Sequence, residues 1–234
     1  MWIPERFEMG RDDTLELLHG MGAADLITPH AGGVEITYLP WVFDETRGDL
    51  GTLRSHLARQ NPHAALLRES SARAADAAET PAESVVVVHG VDAYITPRWY
   101  APSAGDRQVP TWDYVVAHVH GRVRVHDDPE WLLAQVTEQS AKFEEAYAEP
   151  WTPADAPADF IAGMCRAIVG LELEITRIEA KAKLSQNKSP EIVAGVVAGL
   201  RAVGDHAAAD AVEQANRGKQ WPALRRSARP EPLS

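Results

Sequence analysis

The chain reads as a mainly β protein with added helices, an α+β fold built on a small β-barrel. Three observations predict it. Short β-rich runs recur through the first three quarters of the chain, several of them separated by Gly or Asn/Asp turn signals. There is no alternating strand–helix rhythm, which excludes a doubly wound parallel sheet. The last well-patterned segments are two helices in succession, an appended helical hairpin.

In order, Asp12-Asp13-Thr14 followed by Leu15, Leu18 and Met21 predicts a short capped helix ended by Gly20 and Gly22. Residues 23–28 and 34–43 read as strands joined at Gly32-Gly33, a hairpin signal. Residues 44–49 are a turn and 52–59 a third strand. Asn61-Pro62 opens a helical piece through Leu67. Residues 70–83 are rich in Ala, Ser and Glu without an apolar stripe and read as a surface loop with room for one helical turn.

The run Val85-Val-Val-Val88 predicts a buried strand continuing to Tyr94-Ile95, and proline-rich residues 97–110 a loop. Residues 113–125 alternate most cleanly: Val115, Ala117, Val119, Val123 and Val125 on one face, Tyr114, Val116, His118, His120, Arg122 and Arg124 on the other. Asp128-Pro129-Glu130 supplies an N-cap, a first-turn proline and an early acid for a helix carrying Leu132, Val136 and Phe143. Residues 159–167 give another helix and 169–178 a strand. Ser189-Pro190-Glu191 starts a helix with Ile192, Val196, Leu200 and Val203 in register; Gly204 stops it, and Asp205 opens the last helix. This divides the chain into a barrel with inserted helices over 1–188, a hairpin packed on it over 189–218, and a mobile tail over 219–234.

The 234 residues are enough for a sizeable core, and 45% hydrophobic with 24% charged residues is ordinary for a globular protein. A net charge of −11 argues against a generic nucleic-acid binder. The two last helices do not make a helix-turn-helix reader either. The second carries Asp210 and Glu213 and has no basic residue before Arg217, so it would meet phosphates with the wrong sign. The single cysteine, Cys165, permits no intrachain disulfide and reads as a small core residue. With no signal-peptide pattern and no apolar stretch of membrane-span length, a cytoplasmic protein is expected.

The stretch Lys181-Ala-Lys-Leu-Ser-Gln-Asn-Lys188 lies where a strand is expected to hand over to the Ser189 helix. Its lysines, Ser185 and Gln186 are a dense set of donors for a phosphate. Arg54, His56, Arg59 and Asn61 crowd one strand end. Tyr94 to Tyr100 and Val109 to Tyr114 set aromatics beside prolines, rings that suit a flat ligand or a core. His118 and His120 share a strand face, but Arg122 and Arg124 on that face repel a cation and no third ligand is near, so no metal is expected. No Ser-His-Asp, GxGxxG, Walker or HExxH pattern is present.

Assembled in order, these motifs resemble the PaiB family, described as FMN-binding negative transcriptional regulators. The resemblance runs from about Trp2 to Leu200. It rests on Trp2-Ile-Pro-x-x-Phe7, Gly51-Thr-Leu-Arg-x-His-x-Ala-Arg-x-Asn-Pro62, Ala93-Tyr-Ile-x-Pro-x-Trp-Tyr100, Val109-Pro-Thr-Trp-x-Tyr114, His118-x-His-Gly121, Ile168-Val-Gly170 and Ile178-Glu-x-Lys-x-Lys-Leu-Ser-Gln-Asn187. The resemblance implies an FMN-binding split β-barrel, shared with pyridoxamine-phosphate-oxidase-like proteins, working as a homodimer with the flavin near the subunit interface. Given that cofactor, the chemistry of the side chains places the FMN phosphate near Arg59, Asn61, Lys183 and Ser185, with Gln186 beside them. On the same grounds His56, Tyr94, Thr111 and Trp112 are candidates for the ring and ribityl chain. Two positions depart from the family pattern. Asp113 stands where Asn is usual, and a carboxylate facing the phosphate would weaken binding. Ala180 stands where Gly is usual, which would be penalised at positive φ. The functions in view are a flavin-binding repressor, an FMN-dependent oxidoreductase of a small molecule, and a haem protein with His118 or His120 as ligand.

Overall fold

The computed structural model describes residues 1–76, 83–100 and 108–217. Seven strands form one antiparallel sheet: β1 (Ala23–His30), β2 (Gly33–Pro40), β3 (Val42–Asp44), β4 (Thr52–Ala58), β5 (Ser84–Ile95), β6 (Thr111–His126) and β7 (Ile168–Lys183), in the order β2-β1-β5-β6-β7-β4-β3. Six α-helices accompany them among the described residues: α1 (Arg11–Gly20), α2 (Pro62–Asp76), α3 (Pro129–Glu144), α4 (Ala158–Arg166), α5 (Pro190–Ala202) and α6 (His206–Ala215). No helix among the described residues is long and apolar enough to cross a membrane.

The chain divides into two compact units, and β5, β6 and β7 contribute residues to both. The first comprises Met1–Trp2, Met9–Gly90 and Val116–Lys181. The second comprises Ile3–Glu8, Val91–Val115 and Ala182–Ser234, of which the described residues end at 217. The boundary expected at 188 therefore does not coincide with a unit boundary. The helical hairpin shares its unit with the ends of three strands, and the expected tail over 219–234 lies outside the described residues.

The first unit is the barrel. Strands β2 and β3 are the two edges of the sheet, yet only Trp41 separates them in sequence. Edges one residue apart in the chain are also adjacent in space there, so the sheet curls back on itself at this corner. Trp41 is fully buried at this corner, its indole donating to the Ala24 carbonyl at 3.3 Å. Leu26, Leu53, Val86, Val119, Leu171 and Leu173 fill the interior. The alternation read from β6 is borne out, with Ala117 and Val119 fully buried. Where β6 meets β7, a Cβ on Gly121 would fall 2.2 Å from Leu173 Cδ2 and 2.4 Å from the Glu174 carbonyl, so only glycine lets the strands approach this closely.

The second unit has its own core. Val193, Val196, Leu200, Ala209 and Val212 from α5 and α6 close on Ile95 and Tyr100. Ser189 and Asp205 cap the two helices as expected, and Arg201 bridges them by pairing with Asp210 at 3.0 Å and Glu213 at 2.7 Å.

Three element expectations need correction. Helix α2 runs to Asp76, through the first part of the stretch expected to be a loop; Ala-rich sequence has helix propensity enough without a strong apolar stripe. Helix α1 starts from Gly10 with no side-chain cap rather than from an Asp or Thr cap. Strand β7 continues to Lys183, so Lys181 and Lys183 are strand residues and the loop begins only at Leu184.

Candidate functional site

In the barrel unit, His56, Arg59 and Asn61 sit at and just beyond the end of β4, and each is committed to the fold. His56 lies Nδ1 to Gln135 Oε1 at 2.9 Å, and burial pushes its imidazole pKa down, so the ring is neutral at pH 7. The Arg59 guanidinium donates to the Arg166 carbonyl at 2.9 Å, the Ile168 carbonyl at 2.8 Å and the Asp127 carboxylate. Asn61 opens α2, its side-chain oxygen accepting from the His63 amide at 2.9 Å.

The other candidates fall in the second unit, where β5, β6 and the end of β7 supply them. Tyr94 and Trp112 stand edge to face with ring centroids 6.1 Å apart. Both are about half exposed, at 51% and 50%, so this aromatic pair is a surface wall rather than core. Asp92 accepts the Trp112 indole N–H at 3.0 Å and fixes its ring. Behind the wall, Lys183 Nζ donates to Thr111 Oγ1 at 2.8 Å, to the Trp112 carbonyl and to Asp113 Oδ1 at 3.2 Å. Those three bonds use the ammonium's three donors. Asp113 is 2% exposed, and its second oxygen accepts from Ser185 Oγ at 2.6 Å.

The turn after β7 is likewise tied down. Ser185 has φ +62°, the sole positive φ outside glycine among the described residues. Its hydroxyl bond to Asp113 holds it there against the cost of the left-handed region. Gln186 closes its own turn, accepting from the Leu184 amide at 2.7 Å and donating to the Ala182 carbonyl at 2.6 Å. Asn216, at the end of α6, donates to the Leu184 carbonyl at 2.9 Å.

Both departures from the family pattern thus have local explanations. Asp113 is an internal counter-ion and turn clasp, and Ala180 lies in regular β7 without positive φ, its carbonyl accepting from the Met9 amide at 3.2 Å. Tyr100 is a residue the sequence reading placed only in an aromatic cluster. Its hydroxyl is buried without a hydrogen-bond partner among the described residues, and burial, then Asp113, pushes its pKa up. Local sequence does not signal this, because the burial comes from packing against α5 and α6.

The histidines on β6 divide. His120 Nε2 lies 3.0 Å from Glu179 and Nδ1 lies 3.1 Å from Arg177, so both ring nitrogens are engaged. Burial lowers the pKa of His118. No cluster of three metal-ligating side chains occurs among the described residues.

A sheet of this order with helices appended is a split β-barrel fold. By its sequence the chain belongs to the family described as "Putative FMN-binding domain", whose model matches residues 1–177, and it is a homologue of PaiB. It is 32% identical over 196 residues to an uncharacterized protein of Emericella nidulans, covering 74% of this chain and 78% of that one. It is 25% identical over 190 residues to the protease synthase and sporulation protein PAI 2 of Bacillus subtilis, covering 81% of this chain and 84% of that one. Among solved structures it resembles the FAD and heme binding protein of Mycobacterium smegmatis, with a TM-score of 0.53 and 17% identity, covering 76% of this chain and 74% of that one.

Proposed function

We propose that this protein binds FMN, with its ring seated on the Tyr94–Trp112 wall of the second unit, and that it acts as a negative regulator of transcription in the cytoplasm. The carrying observation is that wall: two half-exposed aromatic rings, fixed from behind by Asp92 and Lys183. Exposed rings in a fixed orientation suit a flat heteroaromatic ligand. Thr111 offers a hydroxyl to the ribityl chain. Lys183, with Ser185 and Gln186 on the adjoining turn, is the proposed phosphate end, reached when Lys183 exchanges one of its internal acceptors for a phosphate oxygen. The bound flavin would supply one- or two-electron transfer; the residues named here bind and orient it.

A homodimer is part of the proposal. Val34, Ile36 and Tyr38 project from one face of β2 and are 57%, 58% and 67% exposed, an apolar stripe that suits a second copy. Control of transcription then acts without a strong direct grip on DNA. The chain carries −11, and Arg201 is already neutralised by Asp210 and Glu213.

The test is an absorption spectrum of protein incubated with FMN and passed over a sizing column. Flavin bands near ~450 nm in a dimer-sized peak are expected. Lys183→Ala is expected to weaken FMN about tenfold, the worth of one charge-assisted hydrogen bond. Colourless protein refutes the cofactor, and unchanged affinity refutes the phosphate end. The second reading, an FMN-dependent oxidoreductase, rests on the exposure of the same wall, which leaves room for a substrate against the flavin. Reduction of bound flavin by NADH or NADPH with turnover on an acceptor favours it; flavin inert to both favours the regulator.

A further inference from the structure

The barrel unit carries a cavity of about 970 Å³ between α3, the 153–155 turn and α4. The walls are apolar: Leu132 and Leu133 from α3 face Ala158, Ile161 and Ala162 from α4, with Cys165 at the base. The hydroxyls that border it are spent internally, Thr137 on the Leu133 carbonyl at 2.7 Å and Thr152 on Asp155 at 2.9 Å. Charge collects at one end, where Arg59, Asp127, Glu130 and Arg166 line the cavity. Asp127 is doubly held by Arg59 and Arg68, which keep its carboxyl below the usual range. The lining thus holds two guanidiniums and two carboxylates; Arg59 is taken by Asp127, and Glu130 is exposed at the start of α3. Arg166 is the lining guanidinium with no carboxylate held against it among the described residues.

We propose that this cavity is a second ligand site, separate from the flavin seat, for a small carboxylate with an apolar body, such as a medium-chain fatty acid. The volume lies in the range of small-molecule sites. The apolar walls take the hydrocarbon part, and Arg166 takes the carboxylate in a charge-assisted pair. The inference does not depend on FMN being bound.

Cys165 supplies the test, because it is the single cysteine of the chain and lines the cavity. Labelling of the intact protein with a neutral maleimide is followed by mass spectrometry with and without decanoate, and decanoate binding is measured by calorimetry. Decanoate at ten times its Kd is expected to slow labelling about tenfold. Arg166→Gln, at an exposed position, is expected to weaken decanoate about tenfold while leaving decane-1-ol binding unchanged. Ala162→Trp, which fills the chamber, is expected to abolish protection, with a thermal melt reporting that the variant is folded. Labelling indifferent to decanoate overturns the proposal, as does equal affinity in Arg166→Gln. Protection of Cys165 by FMN in place of decanoate also overturns it, because the chamber would then belong to the flavin. Loss of flavin binding with decanoate protection intact would instead strike the functional reading and leave this one standing.

Discussion

Replacing Asp113 by Asn probes the clasp beneath the aromatic wall. In the native protein the carboxylate is 2% exposed and accepts from Lys183 at 3.2 Å and Ser185 at 2.6 Å. Both are charge-assisted bonds, worth about 1.5–3 kcal/mol each, against about 1 kcal/mol for neutral ones. An amide keeps one acceptor for Lys183 and turns a donor toward Ser185, whose hydroxyl rotates to accept. The Lys183 bond keeps its charged donor but loses the charge on its acceptor, and the Ser185 bond becomes an ordinary one, so Asp113→Asn should cost about 2 kcal/mol, or about 4–8 °C in Tm for a chain of this size. Asp113→Ala should cost more, about 3–5 kcal/mol, because the Ser185 hydroxyl and the inner face of Lys183 lose their partner. Thermal melts of the two variants, with Lys183→Met completing a double-mutant cycle, give the numbers. A Tm for Asp113→Asn within about 1 °C of native would refute the clasp. Paired with FMN titration, the same variant separates two roles. Freed of its counter-ion, Lys183 should hold phosphate more tightly as the fold weakens.

Three further outcomes follow from other contacts. Glu179 accepts from the Met1 ammonium at 2.7 Å, with His120 and Arg177 alongside, and its carboxyl is pushed down to about 2. A depressed carboxyl stabilises the fold above its ordinary pKa and loses that contribution as pH falls toward 2, so acid unfolding of Glu179→Gln should be flatter than native over the interval from about 4.5 to 2. A melt series in which the two proteins fall in parallel would contradict this. On α5 a Cβ at Gly199 would lie 2.2 Å from Trp99 Cδ2, so Gly199→Ala should destabilise by about 1–3 kcal/mol despite a helix-propensity gain of about 1 kcal/mol. Adding Trp99→Leu should return part of that loss, and additive effects in denaturant titration would argue against the contact. Finally, Asp127 is half exposed, so Asp127→Asn should change stability by less than about 1 kcal/mol in urea, even though it releases both Arg59 and Arg68.

Much of the fold was legible because its signals are local. The alternation along β6 and the caps Asp128, Ser189 and Asp205 are patterns within a few residues, and each marks the element it announces. The end of β7 was not legible, because lysines alternating with alanines look like a loop until a partner strand is supplied. Nor was the extension of α2, whose sequence carries propensity without a strong apolar stripe. The candidate residues were found through short motifs, yet their bonds run between distant positions. Asp113 and Lys183 are read separately as a departure and a phosphate donor, and only the folded chain shows them as one pair. Arg59 is a similar case. A strand-end arginine invites an anion, but the backbone carbonyls of Arg166 and Ile168 that occupy it come from the far side of the sequence.

Barrel closure through Trp41 also sets a schedule. The β3–β4 segment is complete by Ala58, but its partner in the sheet is β7, with Thr52 opposite Glu174 and Ala58 opposite Ile168. During synthesis the N-terminal strands leave the ribosome with that edge unpaired, and most of the chain must follow before it is covered. Loop closure over so long an interval is slow compared with local hairpins. Folding of the barrel therefore waits on β7, and a nascent or truncated chain ending before Ile168 would hold β4 open as a template for aggregation.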